Sequence, residues 1–300
     1  MIDTHCHTTF SDGSENVEQI LKLAENKKLK YISITDHNTC KAYEYLEKID
    51  IKKYYSGKII RGVELNTIID GISIELLGYG VDYKIINKET QTLYLSKEQR
   101  NQRELEILVN VCKKIKANVS DNLLEEYNPK QYIYSSNYIH EKLRQNKENR
   151  KFFMSEEAWE DPMVFFRKEM SNNKSAFYVN QSLIMPNIDR IIKLIKDAKG
   201  LVFVPHIFIY GENSEKVLKA LKERYIDKID GFECFYSKFT KEQSDYMVEF
   251  CKKNNLYMSG GSDFHGKIKP NIDLGVGINN NLNISEEIIK PWIKDEYLVK

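Results

Sequence analysis

Apolar strand-like runs alternate with amphipathic helical runs at both ends of this chain, and that alternation constrains its fold more than any other feature. Residues 2–7 read as a short strand. Residues 15–28 (ENVEQILKLAENKK) put Val17, Ile20, Leu21 and Ala24 at helical spacing. YISITD at 31–36 is a β-branched strand, and 38–49 reads as a helix with Asn38 as its N-cap. KIIRGVELNT (58–67) and ISIELLGYGVD (72–82) are strands separated by Asp70-Gly71, a hairpin signal. The alternation returns after residue 187. A helix over 188–200 ending on a glycine C-cap precedes the strand LVFVPH (201–206). A helix at 214–224, a strand at 229–235, a helix at 240–254 and a strand at 256–265 follow. Such units build a mostly parallel sheet with helices outside. Their number, with polar residues at the strand ends, favours a closed or partly closed βα barrel over an open doubly wound sheet.

Residues 84–178 break the pattern. Long charged helical stretches replace the strands, clearest in KEQRNQRELEILVNVCKKIKA (97–117). The predicted organisation is therefore an α/β barrel from 1–83 and 187–300, with a helical insertion over 84–186 that caps one face.

Composition excludes several functions. Forty-five basic residues against 44 acidic ones leave a net charge of +1, which argues against a duplex nucleic-acid surface. A local basic pocket remains compatible with that balance. Cys6, Cys40, Cys112, Cys234 and Cys251 are scattered, with no CxxC, as expected of reduced thiols rather than a disulfide framework. No basic segment leads into an apolar run, and no apolar stretch reaches membrane-spanning length. A cytoplasmic location without membrane attachment is expected.

Five of the six histidines (His5, His7, His37, His206 and His265) sit at the carboxyl end of a predicted strand, where βα barrels hold their chemistry. His140 lies in the insertion. Strand side chains alternate, so Asp3, His5 and His7 share one face, and two imidazoles so spaced can converge on one cation. Asp3 is placed to orient one of them. Asp263 and His265 repeat this geometry after Gly260-Gly261. Of the adjacent pair Asp36 and His37, His37 is the ligand candidate and Asp36 a hydrogen-bond partner. Glu64 ends an apolar run, and such a carboxylate needs a partner. Asp12 alone reads as a turn residue before Gly13. Nitrogen and oxygen donors without thiolates suit Mn, Fe or Zn. The number of donors exceeds what one ion takes, so two or three divalent ions are expected. Such a site suits phosphoester hydrolysis.

HCH at 5–7, SDG at 11–13, ITDHNT at 34–39, GVEL at 62–65, PH at 205–206 and GGSDFHG at 260–266 together resemble the PHP (polymerase and histidinol phosphatase) domain. The chain looks most like the stand-alone bacterial phosphoesterases of that family, some of which hydrolyse nucleoside 3′,5′-bisphosphates or digest short RNA from the 5′ end. The resemblance implies a distorted (β/α)7 TIM-like barrel with a trinuclear site. His5, His7, Glu64 and Asp263 would hold the first metal. Glu64 would bridge to a second, which His206 also binds, and Asp12, His37 and His265 would hold the third. A bridging water or hydroxide would attack phosphorus in line. Glu64, His206, Asp263 and His265 are the catalytic candidates.

Two departures mark this chain. Glu75 stands where relatives usually carry a metal-binding histidine, a harder ligand that favours Mn or Fe. Relatives also often carry a histidine after the strand matching GFECFY, and there the nearest residue of this chain is Phe239, flanked by Lys238. Lys238, Lys267, Arg144 and His140 are candidate substrate contacts. The expected reaction is metal-dependent hydrolysis of a small phosphomonoester, a nucleotide of the 3′,5′-bisphosphate type or a short oligonucleotide end. The alternatives are a histidinol-phosphate-type phosphatase and a metal-binding module with lost or altered catalysis. An amidohydrolase fits less well, because no predicted strand ends in a well-placed lysine.

Overall fold

The computed structural model of the chain describes residues 1–132 and 134–300. It divides into two compact units: Met1–Ile69, Ser73–Leu93 and Pro186–Lys300 form the first, Asp70–Ile72 and Tyr94–Met185 the second. In chain order come β1 (Ile2–Cys6), α1 (Val17–Asn26), β2 (Tyr31–Ile34), α2 (Lys41–Leu46), β3 (Lys58–Ile69), β4 (Ile72–Tyr79) and α3 (Tyr83–Leu93). The second unit carries α4 (Lys97–Lys114), α5 (Leu123–Glu126), α6 (Ser135–Arg144), α7 (Glu156–Glu160) and α8 (Pro162–Val164). The first unit resumes with α9 (Ile188–Asp197), β5 (Leu201–Val204), α10 (Ser214–Arg224), β6 (Gly231–Tyr236), α11 (Lys241–Lys253) and β7 (Tyr257–Gly261).

The seven strands form one sheet in sequence order. β1, β2 and β3 pair in parallel, as do β5, β6 and β7, whereas β4 runs antiparallel to β5. The sheet nearly closes on itself. The Asp263 N–H donates to His5 O at 2.8 Å, the His7 N–H donates to Phe264 O at 2.9 Å, and Cys6 bridges Phe264 in parallel. This is the expected distorted barrel, with the single antiparallel strand produced by the Asp70-Gly71 hairpin. Both turn residues have positive φ.

Three local expectations differ from the structure. Asn38 is not a helix cap. It sits at φ +57, and it exchanges side-chain hydrogen bonds with Asn66, so the helix begins three residues later at Lys41. After α9 the left-handed residue is Lys199, not Gly200. Helix α3 belongs by its contacts to the first unit rather than to the insertion.

The two ends of the barrel differ in chemistry. At the amino ends of the parallel strands, Ile2, Ile60, Phe203 and Tyr79 pack against Leu282, Ile284 and Trp292 of the carboxy-terminal segment. Tyr79 stacks on Trp292 at 5.3 Å, and the Trp292 indole N–H donates to Met258 O. Burying each large apolar side chain stabilises the fold by about 1.5–3 kcal/mol. The apolar end thus supplies stability and leaves the carboxyl end free to be polar. The second unit has its own core of Leu105, Leu108, Tyr138, Ile139, Phe153, Phe165 and Phe177. Among the described residues no helix is long and apolar enough to cross a membrane.

Candidate metal centre

The strands deliver the polar groups one by one. His5 lies on β1 and His7 directly after it, on the face predicted from alternation. Glu64 sits in the middle of the long β3, and His37, past β2, forms an isolated bridge with it. His206 follows β5, and Asp263 and His265 follow β7. Because β4 runs against the others, its first half, with Glu75, lies at the end where the parallel strands finish. Two glycines make room. A Cβ on Gly261 would lie 2.4 Å from the His5 Cβ, and one on Gly13 would lie 2.5 Å from His7 O, so the turn carrying Asp12 could not otherwise approach. Two site residues hold left-handed backbone, His206 at φ +30 and Asp263 at φ +58. Such conformations cost on the order of 1–3 kcal/mol and persist where surrounding contacts over-determine them.

Among the described residues, ligand-type atoms form three groups, each with all atoms within 4.8 Å of one another: His5, His7 and Glu64; Glu64, Glu75 and His206; and His7, Asp12, His37 and His265. Glu64 is the hub. Its Oε2 lies 3.3 Å from His5 Nε2, 3.2 Å from His7 Nε2 and 3.3 Å from His37 Nδ1, while Oε1 lies 2.9 Å from His206 Nε2. Asp263 borders the first group, with Oδ1 3.3 Å from His7 Nε2 and 3.7 Å from His5 Nε2. His265 donates its Nδ1–H to the Asp263 carbonyl and turns Nε2 to within 3.3 Å of Asp12 Oδ1.

The cluster is buried, yet five of its imidazole nitrogens make no hydrogen bond: His5 Nε2, both His7 nitrogens, His37 Nδ1 and His206 Nδ1. A buried polar group without a partner costs about 1–3 kcal/mol. Five of them together rival the roughly 5–15 kcal/mol net stability of a whole domain. The charges respond accordingly. Burial alone would lower the pKa of His7, but the adjoining Asp263 and Glu64 push it up to about 9. Burial likewise opposes charge on His5, and Glu64 and Glu233 outweigh it, holding its pKa well above the ordinary value. Burial would raise Glu64, but His5 and His37 bring it well below the usual carboxylate range. Glu75 is raised, by burial first and then by Glu64. His37 falls to about 4, chiefly through burial. Unpartnered imidazole lone pairs facing shared carboxylates fit divalent cations of the Mn, Fe or Zn type. The donor set therefore matches the group expected there.

The PHP domain model matches residues 3–223. The chain belongs to the PHP domain family. A 5′-3′ exoribonuclease of Haemophilus influenzae is 25% identical over 292 residues, covering 97% of this chain and 98% of that protein. The 5′-3′ exoribonuclease Rnm of Escherichia coli is 25% identical over 284 residues, covering 91% and 87%. Among solved structures, a protein assigned as a metal-dependent phosphoesterase from Bifidobacterium adolescentis superposes with a TM-score of 0.60 at 20% identity, covering 98% of this chain and 97% of that one. An amidohydrolase from Chromobacterium violaceum gives 0.59 at 18% identity, covering 91% and 89%. This PHP domain is a metal-dependent phosphoesterase, a hydrolase of phosphoester bonds.

Among the candidates of this PHP domain, Asp3, His140 and Arg144 make contacts other than those the sequence suggested. Asp3 orients backbone, not an imidazole: its carboxylate accepts from the His5, Ser262 and Gly275 N–H groups and from Ser262 Oγ. Asp36 anchors the turn before Asp12, accepting from Thr8 N–H, Thr8 Oγ1 and Ser11 Oγ. His140 is not available to substrate. It is buried beside Phe153 and Phe165 in the second unit, and its Nε2–H donates to Ala158 O at 3.0 Å. Arg144, also in the second unit, pairs with Glu160 and covers the Trp159 ring. Lys238 and Lys267 are exposed. Phe239 packs against Tyr236 and Phe208.

The structure also adds residues that the sequence reading passed over. Lys269 Nζ lies 2.6 Å from Asp263 Oδ2, which also accepts from Tyr236 Oη at 3.0 Å. Tyr210 Oη accepts from the Glu75 N–H and donates to Glu75 Oε2. Glu233 touches both His5 and His206. A glutamate inside the apolar strand GFECFY was a visible signal for Glu233, whereas nothing in the sequence singles out Lys269 among 45 basic residues.

Proposed function

We propose that this PHP domain hydrolyses phosphoester bonds at the end of a nucleotide or short RNA, using two or three divalent ions at the carboxyl end of its barrel. The observation that carries the reading is the convergence of five imidazoles and the carboxylates of Asp12, Glu75 and Asp263 around Glu64. His5, His7, Glu64 and Asp263 would hold one ion, Glu64, Glu75 and His206 a second, and Asp12, His37 and His265 a third. When bound, the ions supply positive charge to the phosphoryl oxygens and acidify the attacking water. Glu64 gives one oxygen to each of two groups and so sets their spacing. Tyr210 donates to the carboxylate of Glu75 and so holds it beside Glu64 and His206. Asp12 and His37, whose side chains are 53% and 24% exposed, and the partly exposed Glu75 open the cluster to water, while His5, His7, Glu64, His206, Asp263 and His265 are buried behind them.

The exoribonuclease relatives match nearly the whole chain, which favours RNA ends as the substrate class. Release of a 5′-nucleotide from RNA and removal of the 3′-phosphate from a nucleoside 3′,5′-bisphosphate are the same displacement. Water adds to phosphorus, the bond to the 3′ oxygen breaks, and that oxygen takes a proton. The two substrates differ only in what else the phosphate carries.

The test is metal analysis of the purified protein followed by a panel of 5′-phosphorylated short RNA, nucleoside 3′,5′-bisphosphates, mononucleotides and histidinol phosphate. Turnover of the first two, yielding 5′-nucleotides, is expected. Preference for histidinol phosphate, or bound metal without any turnover, would replace this reading with that phosphatase or with a catalytically silent module.

A further inference from the structure

Glu233 makes two contacts that join separate parts of the cluster. It sits on β6, fully buried, with one oxygen on each of two residues, His5 on β1 and His206 past the end of β5. Its Oε1 accepts from His5 Nδ1–H at 3.0 Å, and its Oε2 accepts from the His206 backbone N–H at 2.9 Å. The intervening strand β7 carries Gly261, where a Cβ would lie 2.4 Å from the His5 Cβ, so β7 and His5 approach closely there.

Each contact fixes a different property. In the neutral imidazole that binds a metal, a proton on His5 Nδ1, held by a carboxylate, leaves the lone pair on Nε2, and Nε2 is the buried atom without a hydrogen bond that faces Glu64 and Asp263. His206 is held differently. Its Nδ1 has no partner, so nothing locks the ring through that atom. The ring is aimed instead by a left-handed backbone, φ +30 and ψ +46, and the N–H of that residue is tied to Glu233.

We infer that Glu233 is a positioning residue for two metal-binding groups at once, setting the tautomer of His5 and the backbone of His206. The inference rests on the proposed metal site and adds a coupling within it: one carboxylate outside the ligand set sustains both the His5 group and the Glu64–Glu75–His206 group.

Glu233→Gln makes the coupling measurable. A carboxamide has one acceptor oxygen and one NH2 donor, but the site presents two N–H donors. If the oxygen stays with the His206 N–H, the NH2 faces His5 Nδ1. His5 must then accept there and carry its proton on Nε2, which removes the lone pair aimed at the cluster. Carboxylates that orient metal-binding histidines are worth about 10–100-fold in affinity. In zinc titrations of the full chain, Glu233→Gln should weaken uptake by that factor in at least two of the binding steps. Glu169→Gln is the control. It removes a buried carboxylate of the second unit, bonded to Ser175 and the Met154 N–H, and should leave zinc affinity unchanged. Nitrogen-15 spectra of the zinc-loaded wild type should show the His5 proton on Nδ1, and that resonance should vanish in Glu233→Gln.

Zinc affinity within twofold of wild type in a folded Glu233→Gln protein overturns the inference while leaving the metal site standing. If the variant does not fold, a wild-type His5 proton on Nε2 overturns it equally. Failure of the wild type itself to bind zinc or manganese overturns the metal reading and the inference together.

Discussion

Two buried histidine environments in this molecule carry opposite lessons. His140, in the second unit, is surrounded by Phe153 and Phe165, and its Nε2–H has a carbonyl partner. Burial lowers its pKa, and no carboxylate counters that strongly enough to reverse the shift. Other buried polar groups of that unit are equally satisfied: Glu104 accepts from Ser135, and Asn149 bonds to Asn118 and Leu143. No side-chain nitrogen or oxygen is buried without a hydrogen bond among the described residues of that unit. His5, His7 and His206 are as deeply buried, but they face carboxylates, keep unpartnered nitrogens and have raised pKa values. Burial of a histidine therefore says little about function. The distinguishing sign is burial together with unmet donor or acceptor capacity and opposing charge.

The largest test of this contrast is Glu64→Gln. Glu64 touches every group, so its loss should remove bound metal and lower turnover by about a thousandfold, the scale of losing preorganised charge in a reaction centre. Full turnover would show that the hub is not catalytic. His140→Ala should do the reverse. It should destabilise the second unit by about 3 kcal/mol, through lost packing and an abandoned carbonyl. Zinc uptake should be unchanged at temperatures where the variant is folded, and a loss of metal there would erase the distinction between the two histidine environments.

Acid should separate them more finely. His7 must lose a proton before its nitrogen can bind a cation, and its pKa is raised to about 9 in the metal-free fold. Apparent metal affinity should thus rise with pH up to about 9, by roughly tenfold per unit for each proton released. A flat titration between pH 6 and 9 would contradict the raised value. Without metal, the stabilising contacts of charged His7 are complete below the ordinary value near 6.5 and disappear as pH rises through about 9. His140 has the opposite sign. Its folded pKa is lowered, so the unfolded chain takes up the proton first, and the second unit should lose stability as pH falls below 6.5. Melting curves of wild type and a His140→Gln variant across that range would expose the difference.

The smallest expected effect belongs to Glu75→His. Activity should persist while the preferred ion shifts away from Mn or Fe toward Zn, because imidazole replaces a hard anionic donor. An unchanged preference would mean that Glu75 is not a ligand.

Much of the barrel was legible in the chain. Strand and helix periodicities are local, so α1, α10, α11 and the hairpin strands fell close to their predicted places. The histidines were visible because they end apolar runs, where an ordinary surface role is hard to sustain. Boundaries depending on backbone detail were not: Asn38 was spent on a left-handed turn paired with Asn66, not on a cap. Asp3 and Asp36 stood out as partners, but the sequence could not say that their oxygens go to backbone and turn groups.

The alternation of strand and helix runs was enough to favour a βα barrel over an open sheet, and side-chain direction along each strand was enough to place imidazoles at one end of it. Which charged groups share the enclosure was settled by chain closure. Glu64 lies 142 residues from His206 and Glu233 lies 228 residues from His5, and the antiparallel course of β4 brings Glu75 to the same end. Electrostatic coupling in a buried site falls with distance in space, not along the chain, so Glu233, Lys269 and Tyr210 acquire their roles only once the strands have paired.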